Sequence, residues 1–149
     1  MDRFLAQITW QRGALPFAYK EYSRNHSVHL GSGLTFQGSA AATFFGDPHL
    51  SNPEELLVAA ASSCHMLTFL AMACKQNLVL DRYEDAAEGF MEKGTNGKLW
   101  VARITLKPRV SFAAGVAVDS GQLARLHHDA HENCFIAQSV KTVITVMTA

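Results

Sequence analysis

Three cysteines are the residues of this chain best suited to covalent chemistry. Cys64, Cys74 and Cys134 are separated by ten and by sixty residues, and no two of them form a CxxC pair. An odd number of thiols at these spacings argues against a disulfide scaffold and against a zinc ribbon. We therefore expect reduced thiols, each of which can be a nucleophile, a metal ligand or a small core residue.

Cys64 lies in a long stretch that contains no acidic and no fixed basic residue between Glu55 and Lys75. A buried free cysteine usually only packs, and that interpretation stays open for Cys64. A nucleophilic role requires the thiolate, yet an ordinary cysteine is only about 3 per cent thiolate at pH 7. Cys64 is ten residues, some 15 Å of helix, past Glu54, which is beyond the reach of the helix dipole. A cation from elsewhere in the fold would have to stabilise the anion.

The histidines offer a second chemistry. His127 and His131 are four residues apart and Cys134 lies one turn further, so with Cys64 they could form a zinc site of mixed ligands. Histidines on a polar helix are more often solvated. His65 follows Cys64 directly, and because neighbouring helical residues diverge by about 100°, we expect a core or hydrogen-bonding role for it.

The segment SNPEELL predicts the start of the helix that carries Cys64. Ser51 or Asn52 can cap it, Pro53 suits the first helical position, and two glutamates complement the dipole in the first turn. The apolar run that follows predicts a helix that continues to about Lys75 or Gln76.

A helix that is apolar on all sides either spans a membrane or lies at the centre of a fold. Its serines, Thr68 and His65, and the amphipathic strands on both sides, favour a central helix that is wrapped by a sheet or by a second subunit. Cys74 is about 280° round the helix from Cys64, so we expect it to pack.

Strands are predicted on both sides of this helix. Residues 82–110 predict a hairpin turned at Asn96 and Gly97. In its second arm an alternating pattern predicts a strand with one buried face, in which one face holds Trp100, Ala102, Ile104 and Leu106. The remaining predictions are an early strand near Ile8, a strand pair in 27–38 turned at Gly31 to Gly33, a loop over 39–52, a helix capped by Asp119 or Ser120, and a final strand in 141–148.

Length and charge limit the classes of function. The 149 residues predict one domain, 1–149, and the 13 basic and 13 acidic residues cancel. A near-neutral pI of 7.1 gives no general attraction to nucleic acid or to an anionic membrane. The N-terminal residues lack the layout of a secretory signal, so we expect a cytoplasmic protein.

The motifs NPEELLVAAASSCHMLTFLA and HENCFIAQSVKTVITV resemble those of the OsmC/Ohr family of thiol-dependent peroxidases. In that family an Asn-Pro-Glu helix start precedes one cysteine by ten residues, and a second cysteine opens a short helix before the last strand. The resemblance covers essentially the whole chain. It implies an α+β fold, with curved antiparallel sheets around two central helices, and an intertwined homodimer with two sites at the subunit interface.

The resemblance also implies roles for four residues. Cys64 would attack the peroxide and Cys134 would resolve the sulfenic acid as a disulfide. Arg24 matches the family's arginine, which is held by the glutamate at the helix start, here Glu54. His65 stands where the Ohr-type pattern prefers an aromatic residue, and proline is replaced by Phe135 after the second cysteine, so substrate preference is the property that these departures affect.

The implied enzyme needs no cofactor, reduces organic hydroperoxides of lipid or alkyl type, and takes electrons from a dithiol, usually of the lipoyl kind. Apolar residues near both thiols in sequence favour organic peroxides over hydrogen peroxide. Two alternatives stay open. One is the zinc site of Cys64, His127, His131 and Cys134, and the other is a non-enzymatic module of the same fold that binds an apolar molecule at the dimer interface.

Overall fold

The computed structural model describes residues 1–148 and divides the chain into two compact units, Met1–Leu56 and the part from Leu57 onward. The prediction of a single domain over 1–149 stays a prediction. Strands precede the first long helix, and further strands and helices follow it, as the sequence predicts. The α+β class is confirmed.

The first unit is a three-stranded antiparallel sheet followed by a loop. Its strands are β1 (Ala6–Thr9), β2 (His26–Leu30) and β3 (Thr35–Gly38), with β2 in the centre. Gly33 has φ +90°, a backbone conformation that glycine adopts without strain, and it turns the chain between β2 and β3 as predicted. The predicted loop contains one short 3₁₀ helix, Ala42–Phe44.

Helix α1, Pro53–Lys75, begins and ends where the sequence predicts. Asn52 accepts a hydrogen bond from the amide of Glu55 at 2.9 Å, and the Glu55 carboxylate accepts one from the amide of Asn52 at 3.4 Å. This reciprocal pair satisfies two amides that the first turn leaves free. The helix stops before Asn77, which has φ +58° in the left-handed region.

The part of the chain from Leu57 onward contains two further sheets. The predicted hairpin is confirmed as two antiparallel strands turned at Gly97, and the last strand adds to it in parallel. The segment before the hairpin, expected to belong to it, instead forms a separate strand that pairs with the one after it. The strands are β4 (Leu80–Asp85), β5 (Glu88–Lys93), β6 (Leu99–Leu106), β7 (Pro108–Phe112) and β8 (Val143–Val146).

Two helices follow β7. Helix α2, Ser120–Glu132, is capped by Asp119, whose carboxylate accepts a hydrogen bond from the amide of Gln122 at 2.8 Å. Helix α3, Phe135–Ser139, is a single short helix that starts directly after Cys134. Both starts agree with the sequence prediction.

Helix α1 packs through one stripe of residues spaced four apart. Ala61 lies against the buried side chains of β6 and β8, and Phe69 and Ala73 lie against Leu126 and Ala130 of α2. The other faces of the helix are less buried in the single chain. That a second subunit covers them stays a prediction. By length and composition α1 could cross a membrane, but a helix with a core-facing stripe passes the same test.

Leu106 and Leu99 lie on the same strand, β6, and differ in burial, with 0% and 50% of their surface exposed. Leu106→Ala is expected to lower the free energy of unfolding by about 2–5 kcal/mol, because it leaves a cavity against the core. The matched variant Leu99→Ala should change it by about 0.5 kcal/mol. Denaturant unfolding followed by circular dichroism measures both, and equal losses would contradict the assignment of the β6 faces.

Candidate active site

Cys64 and Cys134, seventy residues apart in sequence, are brought close together by the fold. Cys64 is half-buried on α1, and Cys134 is buried at the start of α3. The two thiols are near enough for Cys64 to affect the pKa of Cys134. The backbone amide of Ile136 donates to the Cys64 Sγ at 3.5 Å, and that of Ala137 donates to the Cys134 Sγ at the same distance. Each sulfur therefore has one amide donor from α3.

The Cys134 thiol is a weak acid. Burial, together with the neighbouring Cys64, raises the pKa of Cys134 to about 11. Cys134 therefore remains a protonated thiol at neutral pH. This protonation suits Cys134 to the role of a thiol that reacts second.

An apolar groove of about 620 Å³ opens beside Cys64. Its floor is a face of α1 that includes Leu67, and its other wall is formed by Phe135 and Ile136 at the start of α3. Leu67 and Phe135 are largely exposed, with 62% and 83% of their surface accessible. An apolar molecule that enters this groove would therefore reach the sulfur of Cys64.

Arg24 and Glu54 line one cavity of about 250 Å³ in the first unit. The Arg24 guanidinium donates to the backbone carbonyls of Tyr22, at 2.6 Å, and of Tyr19, and it stacks 3.8 Å above the Tyr22 ring. The ion pairs found within residues 1–148 do not include one between Arg24 and Glu54. One carboxylate oxygen of Glu54 is buried and has no hydrogen-bond partner among the described residues. Their roles toward Cys64 stay predictions.

His65 forms a buried pair with His127 of α2. The Nε2 of His65 and the Nδ1 of His127 are 3.0 Å apart, the rings are stacked at 5.4 Å, and 1% and 3% of the two residues are exposed. The expected core and hydrogen-bonding role of His65 is therefore confirmed. The expectation that the α2 histidines are solvated is wrong for His127, because its ring also stacks on Phe69 at 4.4 Å.

Burial lowers the pKa of both His65 and His127 to about 4. For His65 the neighbouring His127 and His131 lower it further, and Asp85 raises the pKa of both. Both rings are therefore neutral at pH 7, so one donates and the other accepts. The Nδ1 of His65 is buried and has no hydrogen-bond partner within residues 1–148. Since an unpaired acceptor costs less than an unpaired N–H, we infer that His65 donates through Nε2.

The described residues do not form the zinc site that the sequence left open as an alternative. Within residues 1–148, no group of three or more histidine, cysteine, aspartate and glutamate side chains is placed to hold a metal. His127, one of the four suggested ligands, is instead paired with His65. The expectation for Cys74 is also wrong, because this thiol is exposed on α1 and does not fill the core.

Two features of the site were not predicted from the sequence. The partner of His65 lies 62 residues away, and no local pattern links them. The aromatic residues around Arg24 are only weakly indicated by the sequence. Tyr19 and Tyr22 precede it by five and by two residues and fall in a turn-rich segment.

Comparison with known proteins agrees with this fold. The profile of the OsmC-like protein family matches residues 46–149. An OsmC-like protein of unknown function from Vibrio cholerae is similar over 100% of both chains, with 38% identity and a TM-score of 0.94. The chain therefore belongs to the OsmC-like family.

More distant structures share the fold. The organic hydroperoxide resistance protein OsmC of Legionella pneumophila is 17% identical, with a TM-score of 0.72, over 99% of this chain and 96% of that one. The organic hydroperoxide resistance protein OhrB of Bacillus subtilis is 19% identical, with a TM-score of 0.67, over 98% of both chains. No curated protein matches the chain.

The histidine pair predicts loss of stability in acid. The pKa of His65 and of His127 is near 6.5 in the unfolded chain and about 4 in the folded chain, so the unfolded state binds more protons between these values. The stabilisation is present above about pH 6.5 and is lost as the pH falls toward 4, by up to about 1.4 kcal/mol per pH unit for each histidine.

Denaturant unfolding between pH 7.5 and pH 4 measures this dependence. His127→Gln should flatten the curve whatever its effect at pH 7, whereas His128→Gln, an exposed neighbour on α2, should keep the slope of the parent. A parent curve that is level across this range would disprove the assignment of two neutral buried rings.

Proposed function

We propose that this protein is a thiol-dependent peroxidase that reduces organic hydroperoxides, of lipid or alkyl type, to alcohols. The observation that carries the proposal is the placement of the Cys64 and Cys134 sulfurs against neighbouring amides of α3, where an apolar groove opens onto Cys64. Membership of a family that includes organic hydroperoxide resistance proteins supports it.

The first step is attack of the Cys64 thiolate on the distal oxygen of the peroxide. The S–O bond forms as the O–O bond breaks, sulfur is oxidised to a sulfenic acid, and the alkoxide leaves and takes up a proton to become an alcohol. The amide of Ile136, 3.5 Å from the sulfur, is a donor to the anion before attack.

The second step is attack of Cys134 on the sulfenic sulfur of Cys64. The S–S bond forms, the S–O bond breaks, and the hydroxyl leaves as water with the thiol proton of Cys134. Because both sulfurs lie against consecutive amides of α3, they are near each other before this condensation. An external dithiol, by resemblance of the lipoyl type, then reduces the disulfide by exchange, and no prosthetic group is involved.

The assembly and the compartment belong to the same proposal. We propose a homodimer in the cytoplasm, because the exposed apolar side chains of Leu67 and Phe135 leave surface that a second copy could cover. Arg24 and Glu54 are proposed to stabilise the Cys64 thiolate and to position the peroxide. An arginine suits that role since it stays charged and presents a fork of donors.

Cys64→Ser is expected to abolish reduction of cumene hydroperoxide, because the nucleophile is lost. Cys134→Ser should allow one turnover and then leave Cys64 open to overoxidation, which mass spectrometry detects as two or three added oxygen atoms. Turnover with dihydrolipoamide as donor, and with thioredoxin as a competing donor, measures both variants.

Cys74→Ser is the matched control, since Cys74 lies on the same helix but is exposed. It should keep the activity of the parent. One equivalent of cumene hydroperoxide should remove two free thiols per chain from the parent, and unchanged thiol content would favour the non-enzymatic binder. Equal rates with hydrogen peroxide would remove the preference for organic substrates.

Arg24→Gln is expected to lower kcat/KM for cumene hydroperoxide about a hundredfold, the usual effect of removing one preorganised electrostatic donor. Glu54→Gln should lower it less, since the carboxylate acts through the arginine. The control is Arg12→Gln, at an exposed arginine of the same unit. Steady-state kinetics measure kcat/KM for the three variants. Parental activity in Arg24→Gln would exclude the arginine from the site.

A further inference from the structure

A buried polar contact crosses the apolar interface between α1 and α2. The Nε2 of His65 and the Nδ1 of His127 are 3.0 Å apart, and both residues are almost fully buried. The other ring nitrogen of His65 is buried and unpaired among the described residues. Two such rings stabilise a core less than apolar side chains of similar size would. The steps proposed for the two thiols use neither ring, so the pair has no function yet.

The apolar contacts beside the pair leave the register of the two helices loosely defined. Phe69 and Ala73 of α1 pack against Leu126 and Ala130 of α2, so half of these side chains are small. Apolar attraction depends on buried area and has no direction, and it therefore tolerates small shifts of one helix along the other. A hydrogen bond has a narrow range of distance and angle, so the same shift would break it. A buried polar pair can select one register in this way, at a cost in stability.

Each histidine is closely connected to one of the cysteines. His65 is the next residue after Cys64 within the regular turns of α1. His127 lies about two helical turns before Cys134, whose amide donates to the carbonyl of His131 at 3.2 Å. The relative position of the two rings is therefore transmitted to the two sulfurs through short, hydrogen-bonded backbone.

We propose that His65 and His127 are positioning residues for the bond between Cys64 and Cys134. Their hydrogen bond holds α2 against α1 in the register at which the resolving thiol reaches the sulfenic sulfur. This inference rests on the proposed peroxidase activity. The sulfurs accept hydrogen bonds from amides of α3 and not from either ring within residues 1–148, so the pair acts on the second step through the helices.

Replacement of both rings separates positioning from stability. His65→Leu combined with His127→Leu removes donor and acceptor together, so no group of the pair is left buried and unpaired. The free energy of unfolding should therefore stay at the parental value or rise. The register then depends on apolar contacts alone. The double variant should be at least as stable as the parent and yet form its disulfide less readily.

Equilibrium with a glutathione buffer measures how closely the two thiols are held. One glutathione disulfide oxidises the thiols of Cys64 and Cys134 to a disulfide and is reduced to two molecules of glutathione. The equilibrium constant is obtained from the oxidised fraction at each buffer ratio, by acid quenching, alkylation and mass spectrometry. The double variant should lower this constant about two- to tenfold, the equilibrium equivalent of one hydrogen bond.

A conservative variant and a neighbouring histidine provide the controls. His65→Gln presents an amide N–H near the position of Nε2, so it should keep most of the parental equilibrium constant. His128→Leu removes an exposed histidine of α2 and should leave the constant unchanged. If the leucine pair does not fold, phenylalanine at both positions repeats the measurement with apolar rings. A parental constant in a folded apolar pair, or an equal loss in His128→Leu, would overturn the proposal.

Overoxidation by cumene hydroperoxide tests the same role in the reaction itself. When condensation is slower, a second peroxide has longer to oxidise the Cys64 sulfenic acid to a sulfinic acid, and is itself reduced to an alcohol. The sulfinic fraction should therefore rise about two- to tenfold in the double variant at a fixed excess of peroxide.

The two measurements distinguish this inference from the proposed function. If the parent reduces no hydroperoxide, the proposed function fails, and the glutathione equilibrium still tests the histidine pair because it requires no peroxide. If the parent forms no disulfide between Cys64 and Cys134 at any buffer ratio, the positioning role is overturned.

Discussion

The packing of one stripe of α1 is the constraint on which the rest of the site depends. Ala61, His65, Phe69 and Ala73 recur at every fourth residue and are buried against the sheet and α2. Successive helical residues diverge by about 100°, so this stripe turns Cys64 to the edge of the buried face. The thiol is half-buried because of that position, and it faces a groove instead of the core.

The same packing determines where the second thiol lies. Leu126 and Ala130 hold α2 against α1, and the chain leaves α2 at Asn133, whose side chain donates to the carbonyl of Asp129 at 2.8 Å. Cys134 is the next residue, and its sulfur and that of Cys64 both accept amides of α3. The apolar packing of α2 on α1 therefore positions the two sulfurs relative to each other. No local sequence motif that contains both cysteines is required.

Local chemistry explains which features could be predicted from the sequence. The start of α1 follows from Asn52, Pro53 and the first-turn glutamates, and the faces of β6 follow from its alternation. The pairing of β4 with β7 could not be predicted, because each strand is short and the pairing skips an intervening hairpin. The contact between His65 and His127 depends on how two helices pack, which no spacing along the chain reveals.

The position of Cys134 couples the chemistry of sulfur to the shape of the chain. Its Sγ caps α3 by accepting the amide of Ala137. A covalent bond to Cys64 would redirect that sulfur, so the cap would weaken just when the disulfide forms. Phe135 and Ile136, in the first turn of α3, form one wall of the groove. We therefore expect the oxidised protein to present a loosened wall, through which an alcohol could depart and a reductant could approach.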